Sequence, residues 1–106
     1  MLVRVTEPGK SPFQLRAAEE GISVFDTDAV NPPLTDSEIL ESFRPGGLTI
    51  VRAITEIEAK GLRVVPIPGA EPLPQRLREA HAENRPGPGM TRAQFKQILK
   101  GVESWN

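Results

Sequence analysis

Val64-Val65-Pro66-Ile67-Pro68-Gly69-Ala70-Glu71-Pro72-Leu73-Pro74 is where the chain changes from extended to turning, and its reading sets the rest. Apolar and β-branched residues on either side of Arg63 predict a strand from Leu62 to Ile67. Pro66 lacks an amide hydrogen for a neighbouring strand, so this strand belongs at a sheet edge or ends at the proline. Pro72 and Pro74 then lead into a helix, because a proline costs nothing in the first helical turn. Leu77, Ala80 and His81 recur at three- and four-residue spacing on one face of that helix, which is predicted to stop by Pro86.

Downstream, Arg85-Pro86-Gly87-Pro88-Gly89-Met90-Thr91 is a second rigid turn, so proline and glycine bracket the only histidine, His81. Thr91 followed by Gln94 is a capping box, and Phe95, Ile98, Leu99 and Val102 form an apolar stripe that predicts a helix from Thr91 to Val102. Upstream, Leu2, Arg4 and Thr6 alternate with Val3 and Val5, an N-terminal strand closed by turn residues at Glu7 to Pro12. A helical turn is predicted over Phe13 to Glu20, stopped by Gly21, and Ile22-Ser23-Val24-Phe25 is a second short strand ending at Asp26-Thr27-Asp28. Thr35 and Glu38 form another capping box ahead of Ile39, Leu40 and Phe43, and Arg44-Pro45-Gly46-Gly47 ends that helix. Leu48 to Ile54 reads as strand from its β-branched content, with helix as the competing reading. Thr55-x-x-Glu58 with Gly61 predicts a short helix with a glycine C-cap. Strands and helices alternating over 106 residues predict one domain, 1–106, of α+β class, with short strands in a mixed or antiparallel sheet and flanking helices.

Composition excludes more chemistry than it suggests. Thirteen basic and 14 acidic residues nearly cancel, so the overall charge gives no field for nucleic acid or anionic lipid. With no cysteine and one histidine, neither disulfides, thiol catalysis nor a metal site is expected. No apolar run reaches the roughly 18–20 residues that span a bilayer, and Met1-Leu2-Val3-Arg4 does not resemble a secretory leader, so a cytoplasmic protein without membrane contact is expected. Composition alone supplies a trio of Ser23, His81 and Asp26 or Asp28, but nothing in the spacing makes the three converge. His81 reads either as the polar edge of a helix packed on the sheet or as a cleft residue between the two turns. Arg63, Arg76, Arg78, Arg85 and Arg92 are either ordinary solubilising charge or a receptor for a phosphate or acidic partner. Trp105 reads equally as a cover for the core and as an interface anchor.

Three segments taken together carry a family resemblance: Gly21-Ile22-Ser23-Val24-Phe25-Asp26, then Val65 to Leu77 with its P-x-P-G-x-x-P-L-P turn, then His81 ahead of Pro86 and Met90-Thr91. In that order they resemble the small ADP-ribosyltransferase-like bacterial toxins of the type VI secretion effector kind, over less than half of the chain. The resemblance implies a split antiparallel β core with flanking helices and a cleft that binds NAD. It implies that Arg4, on the first strand, holds the dinucleotide and that Ser23 braces the nicotinamide pocket, with Ser23, His81 and Glu71 as the catalytic candidates. A toxin of this kind would have a cognate antitoxin or immunity protein as partner. The alternative from another class is a non-catalytic interaction module, an antitoxin, immunity protein or adaptor, that presents the proline-bracketed loops and Trp105 as its surface.

Overall fold

The computed structural model describes residues 1–6, 15, 17, 19–43 and 47–103, with the backbone alone at 48, 50, 102 and 103. The turn at Glu7 to Pro12, most of the helical turn from Phe13 to Glu20, the helix stop at Arg44-Pro45-Gly46, the side chain of Val102 and Trp105 lie outside those residues.

The alternation at the N-terminus becomes β1 (Leu2–Thr6), and β2 (Ile22–Asp26) follows as read. A 3-10 turn at Thr27–Ala29 is capped by Asp26, whose carboxylate accepts from the Asp28 amide. Helix α1 (Asp36–Glu41) starts at Thr35, whose Oγ1 accepts the Glu38 amide at 3.2 Å. The segment from Leu48, whose residues suit strand or helix, is β3 (Leu48–Arg52). Helix α2 (Ile54–Ala59) begins one residue before Thr55, at an Ala53 cap that offers no side-chain hydrogen bond, so the expected Thr55–Glu58 box lies inside the helix. Gly61, at φ +84°, takes the left-handed conformation that ends α2. Strand β4 (Arg63–Pro66) and helix α3 (Gln75–Ala80) after Pro74 follow. In α4 (Arg92–Glu103) the capping box is complete: the Thr91 amide donates to Gln94 Oε1 at 2.9 Å, and the Gln94 amide to Thr91 Oγ1 at 3.2 Å.

One expectation is overturned. His81 is not on the helix face beside Leu77 and Ala80; the chain becomes extended at His81 (φ −65°, ψ 137°), and β5 runs His81–Arg85. The reason is non-local. Glu and Asn are poor strand formers, yet β5 is paired on both sides, to β2 from Phe25↔His81 to Ile22↔Asn84 and to β4 from Pro66↔Ala82 to Arg63↔Arg85. Ladder bonds on both flanks outweigh local propensity.

The five strands form an antiparallel sheet in the order β3-β1-β2-β5-β4, so β4 with its Pro66 is an edge strand. Both faces are covered. Leu2, Ile22, Val24 and Ala82 pack with Ile57 of α2 and with Phe95 and Leu99 of α4; Val3 and Phe25, on the other face, pack with Ile39 of α1 and with Leu77 and Ala80 of α3. Two core clusters therefore sandwich the sheet, and each fully buried large side chain contributes about 1.5–3 kcal/mol. The sheet is not evenly stitched: β1 pairs with β3 over five residue pairs but with β2 over only two, Leu2↔Asp26 and Val3↔Phe25. No helix among the described residues is long and apolar enough to cross a membrane.

Candidate functional site

Beyond Val3↔Phe25, β1 continues to Thr6 against β3 while β2 continues to Ile22 against β5, and no ladder joins the two halves. The Ser23 carbonyl would be left without a strand partner on the β1 side. Arg4 supplies one: its Nη1 donates to Ser23 O at 2.8 Å, a charge-assisted bond across the divergence. Two residues nineteen positions apart are thereby joined. Their side chains leave on different faces, since Arg4 alternates with Leu2 and Ser23 with Phe25. Ser23 is exposed. Gly21, just before it, lies so close to β5 that a Cβ there would stand 2.8 Å from both the Asn84 carbonyl oxygen and Arg85 Cγ, which gives this motif position a steric reason to be glycine.

On the Ser23 face the next strand contributes Glu83, directly opposite Ser23, and His81, directly opposite Phe25. Ser23 and His81 are thus diagonal neighbours, with Cα atoms roughly 7–8 Å apart in such a ladder. The Glu83 carboxylate accepts from Arg85 Nε at 2.9 Å, and Arg85 also reaches Glu20 at 3.9 Å. Glu83 carries no functional signal in the sequence, because the letters of His81–Arg85 read as helix and turn. The available signal was period two: exposure alternates along His-Ala-Glu-Asn-Arg, but Asn84 at a buried position hides the pattern in the letters.

The His81 ring packs edge-on to Phe25 with centroids 5.7 Å apart, and its Nδ1 lies 2.8 Å from the Ile67 carbonyl. A carbonyl only accepts, so Nδ1 carries the hydrogen and Nε2 is the nitrogen left for other work. The ring borders a groove of about 630 Å³ formed by residues 66–69 on one side and by Gln75, Arg78 and Glu79 of α3. Glu71 is not on that groove; its side chain is 86% exposed and its carboxylate stands 3.7 Å from Arg78 Nη1. The Ser-His-Asp trio does not assemble: Asp26 caps the 3-10 turn and Asp28 Oδ2 accepts from the Met1 amino group at 2.9 Å.

The arginines of the second half divide by occupation. Arg76 Nε and Nη2 donate to the two oxygens of Glu38 at 2.7 and 3.3 Å and Nη2 also to Pro32 O at 2.6 Å; Arg63 donates to Pro86 O and Arg92 to Glu19 O. Arg78 differs from these: its guanidinium makes no hydrogen bond among the described residues, and its Nε is enclosed without a partner. Among the described residues no group of three or more His, Asp or Glu could hold a metal ion.

No family model, curated protein or solved structure matches the chain.

Proposed function

We propose that the chain is an ADP-ribosyltransferase-like domain that binds NAD where β1 and β2 diverge, and that it acts as a toxin in the bacterial cytoplasm with a cognate antitoxin or immunity protein as partner. The observation that carries this reading is the Arg4–Ser23 contact: the arginine on the first strand named by the resemblance donates to the backbone carbonyl of the serine on the second at 2.8 Å, where the sheet splits. A guanidinium is a bidentate donor suited to a pyrophosphate, and the exposed Ser23 hydroxyl both donates and accepts, each from its own face of the sheet. When bound, NAD would supply the nicotinamide–ribose bond whose cleavage releases ADP-ribose for transfer. Of the chain's own carboxylates, Glu83 is better placed than Glu71 to favour positive charge developing beside Ser23, because it faces Ser23 across the ladder and is itself only 24% exposed. His81, with Nδ1 tied to Ile67, presents Nε2 on the same sheet face.

Expression in a bacterial host tests the reading. Growth should arrest with the native chain and recover with Arg4→Ala or Glu83→Gln, both checked to be folded. A second reading, a non-catalytic interaction module, is favoured by the edge position of β4 and by the proline-rich loop after it, which holds Glu71 almost fully in solvent. On that reading the native chain is tolerated and no variant changes growth.

A further inference from the structure

We infer that the groove between residues 66–69 and α3 is a binding site for a monocarboxylate carried on a flat apolar body. The inference does not need the NAD reading, since Arg4, Ser23 and Glu83 take no part in it and only His81 borders both sites. Its volume of about 630 Å³ lies within the range of small-molecule sites. Arg78 is the donor. Its guanidinium has no hydrogen bond among the described residues, and its one counter-charge, Glu71, is 3.7 Å away and 86% exposed, so that contact is screened by water and readily exchanged for a better one.

The other groups narrow the ligand. Pro66, Ile67 and Pro68 give the groove an apolar side suited to a flat ring, while Gly69 sits tight against α3, where a Cβ would come within 3.1 Å of Arg78 Cα. Glu79, held by Gln75 Nε2 at 3.1 Å, lines the same groove and adds a negative charge to its wall, so a ligand with a single negative charge is accommodated better than one with two. A carboxylate matches the guanidinium fork and carries one charge. His81, with Nδ1 committed to Ile67, lines the same groove and leaves Nε2 as the ring nitrogen available to the ligand body.

Benzoate and inorganic phosphate titrated into the full chain, followed by backbone amide shifts, test this. Benzoate should saturate at ~1–10 mM with shifts centred on Gly69, Arg78 and His81. Arg78→Gln should weaken it at least about tenfold, and Arg78→Lys, which keeps the charge and loses the fork, by less. Circular dichroism matching the native chain shows that either variant is folded. Absence of saturable benzoate binding, unchanged binding in folded Arg78→Gln, or phosphate binding as tight as benzoate would overturn the inference.

Discussion

Arg4 Nη1 donates to the Ser23 carbonyl at 2.8 Å at the point where the β1–β2 ladder stops, so a side chain does there what a strand amide does elsewhere. The acceptor is backbone, and the two residues therefore differ in what their removal costs. Arg4→Ala should lower unfolding free energy by about 1.5–3 kcal/mol, the range for a hydrogen bond with one charged partner. Ser23→Ala keeps the carbonyl and removes an exposed hydroxyl, so its effect should fall within about 0.5 kcal/mol of zero. Urea denaturation of the two variants separates them.

Leu99 is 1% exposed in the cluster that α4 brings onto the sheet with Phe95 and Ile22. Leu99→Ala should cost about 2–5 kcal/mol through lost transfer energy and the cavity left behind. A near-neutral midpoint shift in chemical denaturation would mean that α4 does not close this core.

Glu38 and Arg76 tie α1 to α3. The Arg76 hydrogen bond is the chief cause that holds the Glu38 carboxyl below its ordinary 4.5; burial opposes it, and the Arg76 charge and the Thr35 amide add to it. A carboxylate whose pKa is lower when folded adds stability above its unfolded pKa, and that stability is lost as pH falls through the folded value. Glu38→Gln should therefore be less stable than the native chain at neutral pH, with the difference closing below about pH 4.5. Thermal melts across pH 3 to 7 would show it, and a difference independent of pH would exclude the ion pair as its cause.

Asn84 is 1% exposed between its ladder partners Ile22 and Val64, and among the described residues neither its Oδ1 nor its Nδ2 has a hydrogen-bond partner. An unsatisfied buried polar group costs about 1–3 kcal/mol, so Asn84→Val should raise the melting temperature and the denaturation midpoint. Val is also the better strand former. A loss of stability would show that the amide is serving a need the apolar core cannot.

Local chemistry was legible in the sequence and long-range pairing was not. The Thr91–Gln94 box is written within four residues, and both of its bonds are present. The helix after Pro74 and the edge position of Pro66 follow from what proline lacks, and the α+β class follows from alternating short elements, while the choice between a mixed and an antiparallel sheet was settled only by the pairing. Strand β5 escaped because two neighbours, not its own residues, make it a strand, and Glu83 escaped with it. The Thr35–Glu38 box was read as a local cap, but the Glu38 carboxylate is shared with Arg76, thirty-eight positions away. The second half of the chain is rich in arginine, but only the structure separates Arg78 from its hydrogen-bonded neighbours.

Calorimetric titration of NAD into the purified chain, beside folded Arg4→Ala and Ser23→Ala, bears on the dinucleotide cleft without knowledge of any target. Saturable binding by the native chain, lost with Arg4→Ala and weakened with Ser23→Ala, is the expected result. No saturable heat at millimolar NAD from a folded native chain would contradict it and leave the interaction module as the standing function.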